Sequence, residues 1–246
     1  MVAGVEPRTH LVLLPGLDGT EVLFGPLLKT LPEWLSPLVV TYPAHGSGRY
    51  EDLLPIVLRA VRSVPHCHVL GWSFSGPLAL RAARAEPERV RSVVLAASFL
   101  EPPLPWLAHT GPLLTTPAVA LLRVLRRLPI WLGRSNGDAL RRDKARIFRR
   151  VPARTLAARA RAIREVDARD DAAACRQPLL YLAAEEDRVV PEHNLEVLRR
   201  LRPDLQVATL PGSHMALYSH PALAALAVAG FCSETSQQAA TAPACQ

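Results

Sequence analysis

"HVLGWSFSGPLALRAA" occupies His68–Ala83. An apolar pair, Val69 and Leu70, stops at Gly71, and Ser73 stands between Trp72 and Phe74. After Ser75, Gly76 and Pro77 an Ala/Leu-rich pattern of helical period begins at once. A chain that passes from strand to helix in so few residues bends sharply, and small residues at Gly71, Ser75 and Gly76 let its backbone segments crowd together. The apex of such a bend is pushed out to where a substrate can reach it. Here the apex is Ser73.

The same change of period recurs on both sides of this stretch. Short Val/Leu-rich runs at His10–Leu14, Leu38–Thr41, His68–Leu70, Val90–Ala96, Leu179–Ala183 and Gln206–Leu210 alternate with helical patterns. The helices are expected near Thr20–Leu31, Tyr50–Ser63, Ser75–Glu86, Glu192–Leu201 and Ser219–Phe231, with Pro32, Pro65, Pro87 and Pro203 stopping four of them. Nearly continuous apolar runs suit strands buried on both faces, and their alternation with helices suits a parallel sheet. The expected class is therefore α/β, a doubly wound and mostly parallel sheet of about six strands. From Phe99 to Ala174 the strand rhythm disappears into proline-punctuated loops and Arg-bearing helices. Residues 99–174 are expected to form a helical cap inserted in a core of residues 1–98 and 175–232, and the polar, Ala-rich residues 233–246 a disordered tail.

The bulk numbers agree with one core. The chain has 246 residues, 49% hydrophobic but only 5% aromatic, so its interior must be mostly Leu, Val and Ala. Four cysteines (Cys67, Cys175, Cys232 and Cys245) lie far apart with no metal-ligand spacing, and are read as reduced bystanders. The first residues lack a basic stretch before an apolar one, and no run approaches a membrane span of about 20 apolar residues. A cytosolic, soluble chain is expected. The net charge of +7 is concentrated: between Arg123 and Arg169 fifteen Lys or Arg stand against four acids. No nucleic-acid-binding fold or aromatic interleaving accompanies that charge, which excludes nucleic acid as the expected partner. An anionic substrate, an acidic carrier protein or a membrane surface touched by Arg123, Arg126 and Arg127 remain as readings beside a merely solvated face.

A serine hydroxyl is a weak nucleophile at neutral pH and needs an imidazole to take its proton, a carboxylate to orient the imidazole, and donors for the oxyanion. Each can be sought separately. "LLPGLDGT" follows the first strand, and a turn through Gly16, Asp18 and Gly19 would point the backbone N–H of Leu17 into the crevice. The second donor would be the N–H of Phe74 at the start of the helix after the bend. "LLYLAAEEDRVVPEHN" offers Asp187 just past a strand end, with Glu185 and Glu186 as competitors, and "VATLPGSHMALYSHP" offers His214 after the last strand. Ser73, Asp187 and His214 all follow strand C-termini, in the order Ser, Asp, His. Trp72, Leu17 and Met215 adjoin these positions and are expected to line an acyl pocket. The cap positions Leu121, Leu122, Leu125, Leu128 and Trp131 read as core, and His45 in "YPAHGSG" as a structural turn residue.

These motifs resemble the α/β-hydrolase superfamily over nearly the whole chain outside the cap. The stretches "GWSFSG", "REVDARDDAAACRQPLLYL" and "SHMALYSHPALAAL" are in addition similar to small capped carboxylesterases, including those that remove a methyl ester from pimeloyl-acyl carrier protein. The resemblance implies a serine carboxylesterase without metal or organic cofactor, with Ser73 as nucleophile, His214 as base and Asp187 as its orienting acid. The N–H groups of Leu17 and Phe74 would form the oxyanion hole. A thioesterase or other acyl hydrolase, a non-catalytic binding protein and a peripheral membrane module are the alternatives. Three departures stand out: Ser75 replaces the last glycine of G-x-S-x-G, Pro15-Gly16 replaces a common His-Gly pair, and, with only about nine residues before the first run, the family's first two strands are expected to be absent.

Overall fold

Leu11, Leu13, Leu70, Val94, Leu180 and Leu182 are sealed on one side of a sheet, and Val12, Leu14, Val69, Val93, Leu179 and Tyr181 on the other. Alternation along strands whose residues are all apolar obliges both faces to be covered, and each fully buried Leu contributes roughly 1.5–3 kcal/mol. The computed structural model, which describes residues 9–104 and 138–241, meets that demand with an open parallel sheet. Its strands are β1 (Thr9–Leu14), β2 (Leu35–Val39), β3 (Cys67–Trp72), β4 (Val90–Ala96), β5 (Leu179–Ala184) and β6 (Gln206–Leu210). The order is β2-β1-β3-β4-β5-β6. Pro37 sits on the edge strand β2, where its missing N–H costs no ladder bond on the open side.

One face is covered by α2 (Tyr50–Arg62), α3 (Gly76–Ala85), α6 (Arg169–Ala174) and α7 (His193–Leu201). The other is covered by α1 (Gly25–Leu28), α8 (Ala216–Ser219) and α9 (Pro221–Thr241). Because β1 pairs with β2 on one side and β3 on the other, the chain reverses its direction of winding at β1. Ligands of open α/β sheets bind in the crevice that such a reversal opens beyond the strand C-termini.

Between β4 and β5 the described residues form α4 (Asp138–Arg150), α5 (Ala153–Arg164) and α6. Ile147, Val151 and Leu156 pack on Val22 above the strand ends, and Arg150 pairs with Glu21 at 2.7 Å. By contrast α6 lies with the core layer, tied to α3 by Asp171, which accepts from Arg81 at 3.0 Å and Arg84 at 3.1 Å. Residues 105–137, with Leu121, Leu122, Arg123, Leu125, Arg126, Arg127, Leu128 and Trp131, lie outside the described residues, as does Cys245. Cys67, Cys175 and Cys232 are buried free thiols.

Beyond β2, which starts at Leu35 rather than Leu38, and Arg169–Ala174, which pack with the core although the sequence pattern assigns them to the cap, two further expectations need correction. The first helix is not continuous from Thr20 to Leu31: a 3-10 turn at Val22–Phe24 precedes α1, because Pro26 at the start of α1 has no N–H to carry a longer helix through. The tail is not disordered from residue 233, since α9 continues to Thr241. Its polar residues are anchored: the Thr235 hydroxyl is buried and donates to Phe231 O at 2.9 Å, and Ser236 Oγ lies 3.2 Å from Nε2 of the buried His68. Burial, helped by the charge of Arg91, pulls the His68 pKa down to about 4, so the ring is neutral between Ser92 and Ser236. No helix among the described residues is long and apolar enough to cross a membrane.

Candidate active site

The bend after β3 is as tight as its small residues require. Strand β3 ends at Trp72, Ser73 takes a left-handed backbone conformation (φ 51°), and a 3-10 turn through Ser75 leads into α3. A non-glycine residue there is strained by roughly 1–2 kcal/mol, held by its surroundings. A Cβ at Gly71 would stand 2.5 Å from the Ser75 carbonyl oxygen, and one at Gly76 would stand 1.9 Å from Ser98 Oγ. Only hydrogen fits at either position. Ser98, just beyond β4, donates to the Ser73 carbonyl at 2.6 Å and so ties the bend to the next strand.

Three loops bring their side chains together at this point. The Ser73 hydroxyl is 2.9 Å from His214 Nε2, and His214 Nδ1 is 2.8 Å from Asp187 Oδ2. A carboxylate only accepts, so Nδ1 carries the proton that is donated to Asp187 and Nε2 is left to accept from Ser73. Asp187 is fixed in turn, its Oδ1 accepting the backbone N–H groups of Val189 at 2.8 Å and Val190 at 2.9 Å. Its side chain is 5% exposed, whereas Glu185 and Glu186 face solvent. Of the three neighbouring acids, Asp187 alone meets the imidazole.

The loop after β1 flanks Ser73: a Cβ built on Gly16 would lie 4.0 Å from that of Ser73. The Gly16 carbonyl accepts the Gly19 N–H at 3.0 Å. In a trans peptide the C=O and N–H point opposite ways, so a Gly16 carbonyl turned into the loop sends the Leu17 N–H outward. That N–H has no partner among the described residues. Phe74 is in the first turn of its helix, where N–H groups have no intrahelical acceptor. Trp72 is buried and tilted against Phe24 with centroids 5.6 Å apart, its Nε1 unpaired among the described residues. Leu17 and Met215 are half-buried. His45 stands apart, its Nδ1 accepting from Arg154 at 2.9 Å.

Two of the departures from the family pattern have local substitutes. Ser75 Oγ donates to the Pro15 carbonyl and lies 2.7 Å from the Tyr42 hydroxyl, so the hydroxyl in place of a glycine fastens the bend to the loop after β1. The same loop, without its His-Gly pair, is held from the other side by Arg159 of α5. Neither Arg159, Tyr42 nor Ser98 was singled out in the sequence. Arg159 resembles fourteen other basic residues of its segment, and Tyr42 and Ser98 carry no spacing signal.

An all-parallel α/β sheet with a strained serine at a strand-to-helix turn, within reach of a histidine and an acid from later loops, defines a class of hydrolytic folds. The chain belongs to the alpha/beta hydrolase family, whose model matches residues 11–227. It is 26% identical over 240 residues to a pimeloyl-[acyl-carrier protein] methyl ester esterase of Stenotrophomonas maltophilia, covering 90% of this chain and 92% of that one. It is 30% identical over 258 aligned positions to the biotin biosynthesis bifunctional protein BioHC of Cellvibrio japonicus; the match takes in 91% of this chain but only 47% of that longer protein. Among solved structures, a hydrolase from Pseudomonas aeruginosa superposes with a TM-score of 0.75 at 22% identity, over 93% of this chain and 91% of that one. The last likeness concerns the fold.

Proposed function

We propose that the protein is a serine carboxylesterase that works through an acyl-enzyme. The observation that carries the reading is the unbroken relay from Asp187 through His214 to Ser73. Ser73 Oγ attacks the ester carbonyl as His214 Nε2 takes its proton, and the tetrahedral oxyanion is received by the N–H groups of Leu17 and Phe74. Collapse breaks the bond to the alkoxy group, which leaves as the alcohol with the proton from His214. Water then attacks the acyl-enzyme, giving its proton to His214, and release of the acid returns the hydrogen to Ser73. Asp187 stabilises the imidazolium that forms twice in this cycle. A serine at the apex favours acyl transfer over the aspartyl-ester chemistry of epoxide or haloalkane opening.

Within this class the substrate best supported is a carboxylic ester borne on an acidic carrier. Two observations favour it: the likeness to relatives named as pimeloyl-[acyl-carrier protein] methyl ester esterases, and the exposed arginines Arg141, Arg142, Arg146 and Arg149 along α4. Such a positive face speeds encounter with an acidic protein and does so less as salt rises.

The test is hydrolysis of a p-nitrophenyl ester series by wild type and Ser73→Ala, with fluorophosphonate labelling of both. Wild type is expected to turn over and label, and Ser73→Ala to do neither. A folded wild type that does neither overturns the reading, and the chain would then be a binding protein built on a hydrolase fold.

A further inference from the structure

Among the described residues Arg159 is the largest side chain that is fully buried, and it pairs with no carboxylate within salt-bridge distance there. A guanidinium withdrawn from water in this way is costly unless its donors are used, and here the two terminal nitrogens donate to backbone while Nε has no partner among the described residues. Nη1 donates to the carbonyls of Leu17 at 2.9 Å and Asp18 at 2.7 Å, and Nη2 donates to Pro43 at 2.9 Å. The guanidinium lies over the Tyr42 ring, 5.5 Å from its centroid. Asp18, half-buried and engaged with the hydroxyl and N–H of Thr20, favours the charged form of Arg159, while desolvation opposes it and also raises the pKa of Asp18 itself. The loop has been shaped to this side chain. Gly19 has φ 69°, and a Cβ there would stand 2.3 Å from Nη1.

We propose that Arg159 is a positioning residue through which α5 of the inserted segment aims the oxyanion donor. The inference rests on the reading of Leu17 as that donor. The peptide planes from Leu17 to Gly19 are those whose carbonyls Arg159 holds, and their orientation closes the turn in which the Gly16 carbonyl accepts the Gly19 N–H. That turn in turn directs the Leu17 N–H. On the opposite side the Pro15 carbonyl is held by Ser75, which Tyr42 contacts, and the Tyr42 N–H donates to Gly19 O at 2.8 Å. Arg159, Tyr42 and Ser75 thus grip one loop from the inserted helices, from the chain beyond β2 and from the bend. An arginine is needed because its planar fork reaches Leu17, Asp18 and Pro43 together; a lysine ammonium keeps the charge but not the span.

Arg159→Met and Arg159→Lys are to be assayed on a p-nitrophenyl ester, with each preparation titrated by fluorophosphonate so that rates refer to active sites. Affinity for a trifluoromethyl ketone, which forms a tetrahedral adduct with the serine, is measured alongside. Misaiming of the donor is expected to lower kcat by about 10- to 100-fold with KM within about twofold, and to weaken the ketone in proportion. Arg159→Lys should recover part of the loss. A merely structural role would lower the melting temperature and leave kcat per titrated site unchanged. Should Arg159→Met fail to fold, Arg159→Lys carries the test alone. A kcat per site within about twofold of wild type, or a loss borne by KM with the ketone unaffected, overturns the proposal. Failure of the esterase reading would be seen elsewhere, in a wild type without turnover or a Ser73→Ala variant that retains it.

Discussion

The bend at Gly71–Gly76 and the helix that carries Arg159 lie against the same loop, yet they are specified in different ways. At the bend, each residue's identity follows from its immediate neighbours: Gly71 faces the Ser75 carbonyl and Gly76 faces Ser98, so sterics within a few residues and one adjoining strand dictate the sequence. On α4 and α5, Arg159 is one basic residue among many, and its local sequence does not separate it from exposed Arg149 or Arg161. What sets it apart is a pocket made by residues about 140 positions earlier in the chain. Strained backbone leaves a local signature, whereas a buried charge leaves none until its acceptors are known.

The largest effect that bears on this contrast belongs to the relay. Asp187→Asn is expected to lower kcat by roughly four orders of magnitude, because an amide favours the wrong imidazole tautomer. Glu186→Gln, one position away and exposed, should stay within about twofold of wild type. Steady-state kinetics on one ester compare the two. Equal losses would mean that the acid is not selected by geometry.

A smaller effect tests the bend itself. Gly71→Ala places a methyl group against a backbone carbonyl that has nowhere to go, and is expected to destabilise the fold by about 1–3 kcal/mol. Denaturant midpoints measure it. A variant as stable as wild type would show that the crowding can relax and that the local reading of the motif is too strong.

The smallest effects should come from the exposed arginines. Arg142→Ala and Arg149→Ala are expected to change stability by less than about 0.5 kcal/mol and to leave hydrolysis of free esters alone. On a carrier-borne ester they should slow turnover at low salt, and the difference should fade as salt is added. Indifference to these variants at every salt concentration would reduce α4 to a solvated face.

Much of the fold was legible because its signals are short-range. Continuous Val/Leu runs demand burial on both faces, and four of the helices end near the prolines that follow them. Two segments departed from their local pattern, one through a distant partner and one through a proline within it. Residues 233–241 look too polar to fold, but Thr235 and Ser236 find acceptors in their own helix and a contact with His68 on β3. The span from Thr20 to Leu31 has helical period, but Pro26 divides it.

By itself the sequence determined the class of fold, the place of the bend and the serine at its apex, with histidine and acid in the order that a parallel sheet brings together. These depend on period and on steric rules acting over a few residues. The sequence pointed to Asp187 through its resemblance to the family, and the tertiary structure supplied the physical ground, since only this carboxylate of the three neighbouring acids faces His214 across the gap between loops. The tertiary structure alone withdrew Arg159 from the surface and joined it to Leu17 and Asp18, because three carbonyls converge there only after β1, β2 and the inserted helices have packed.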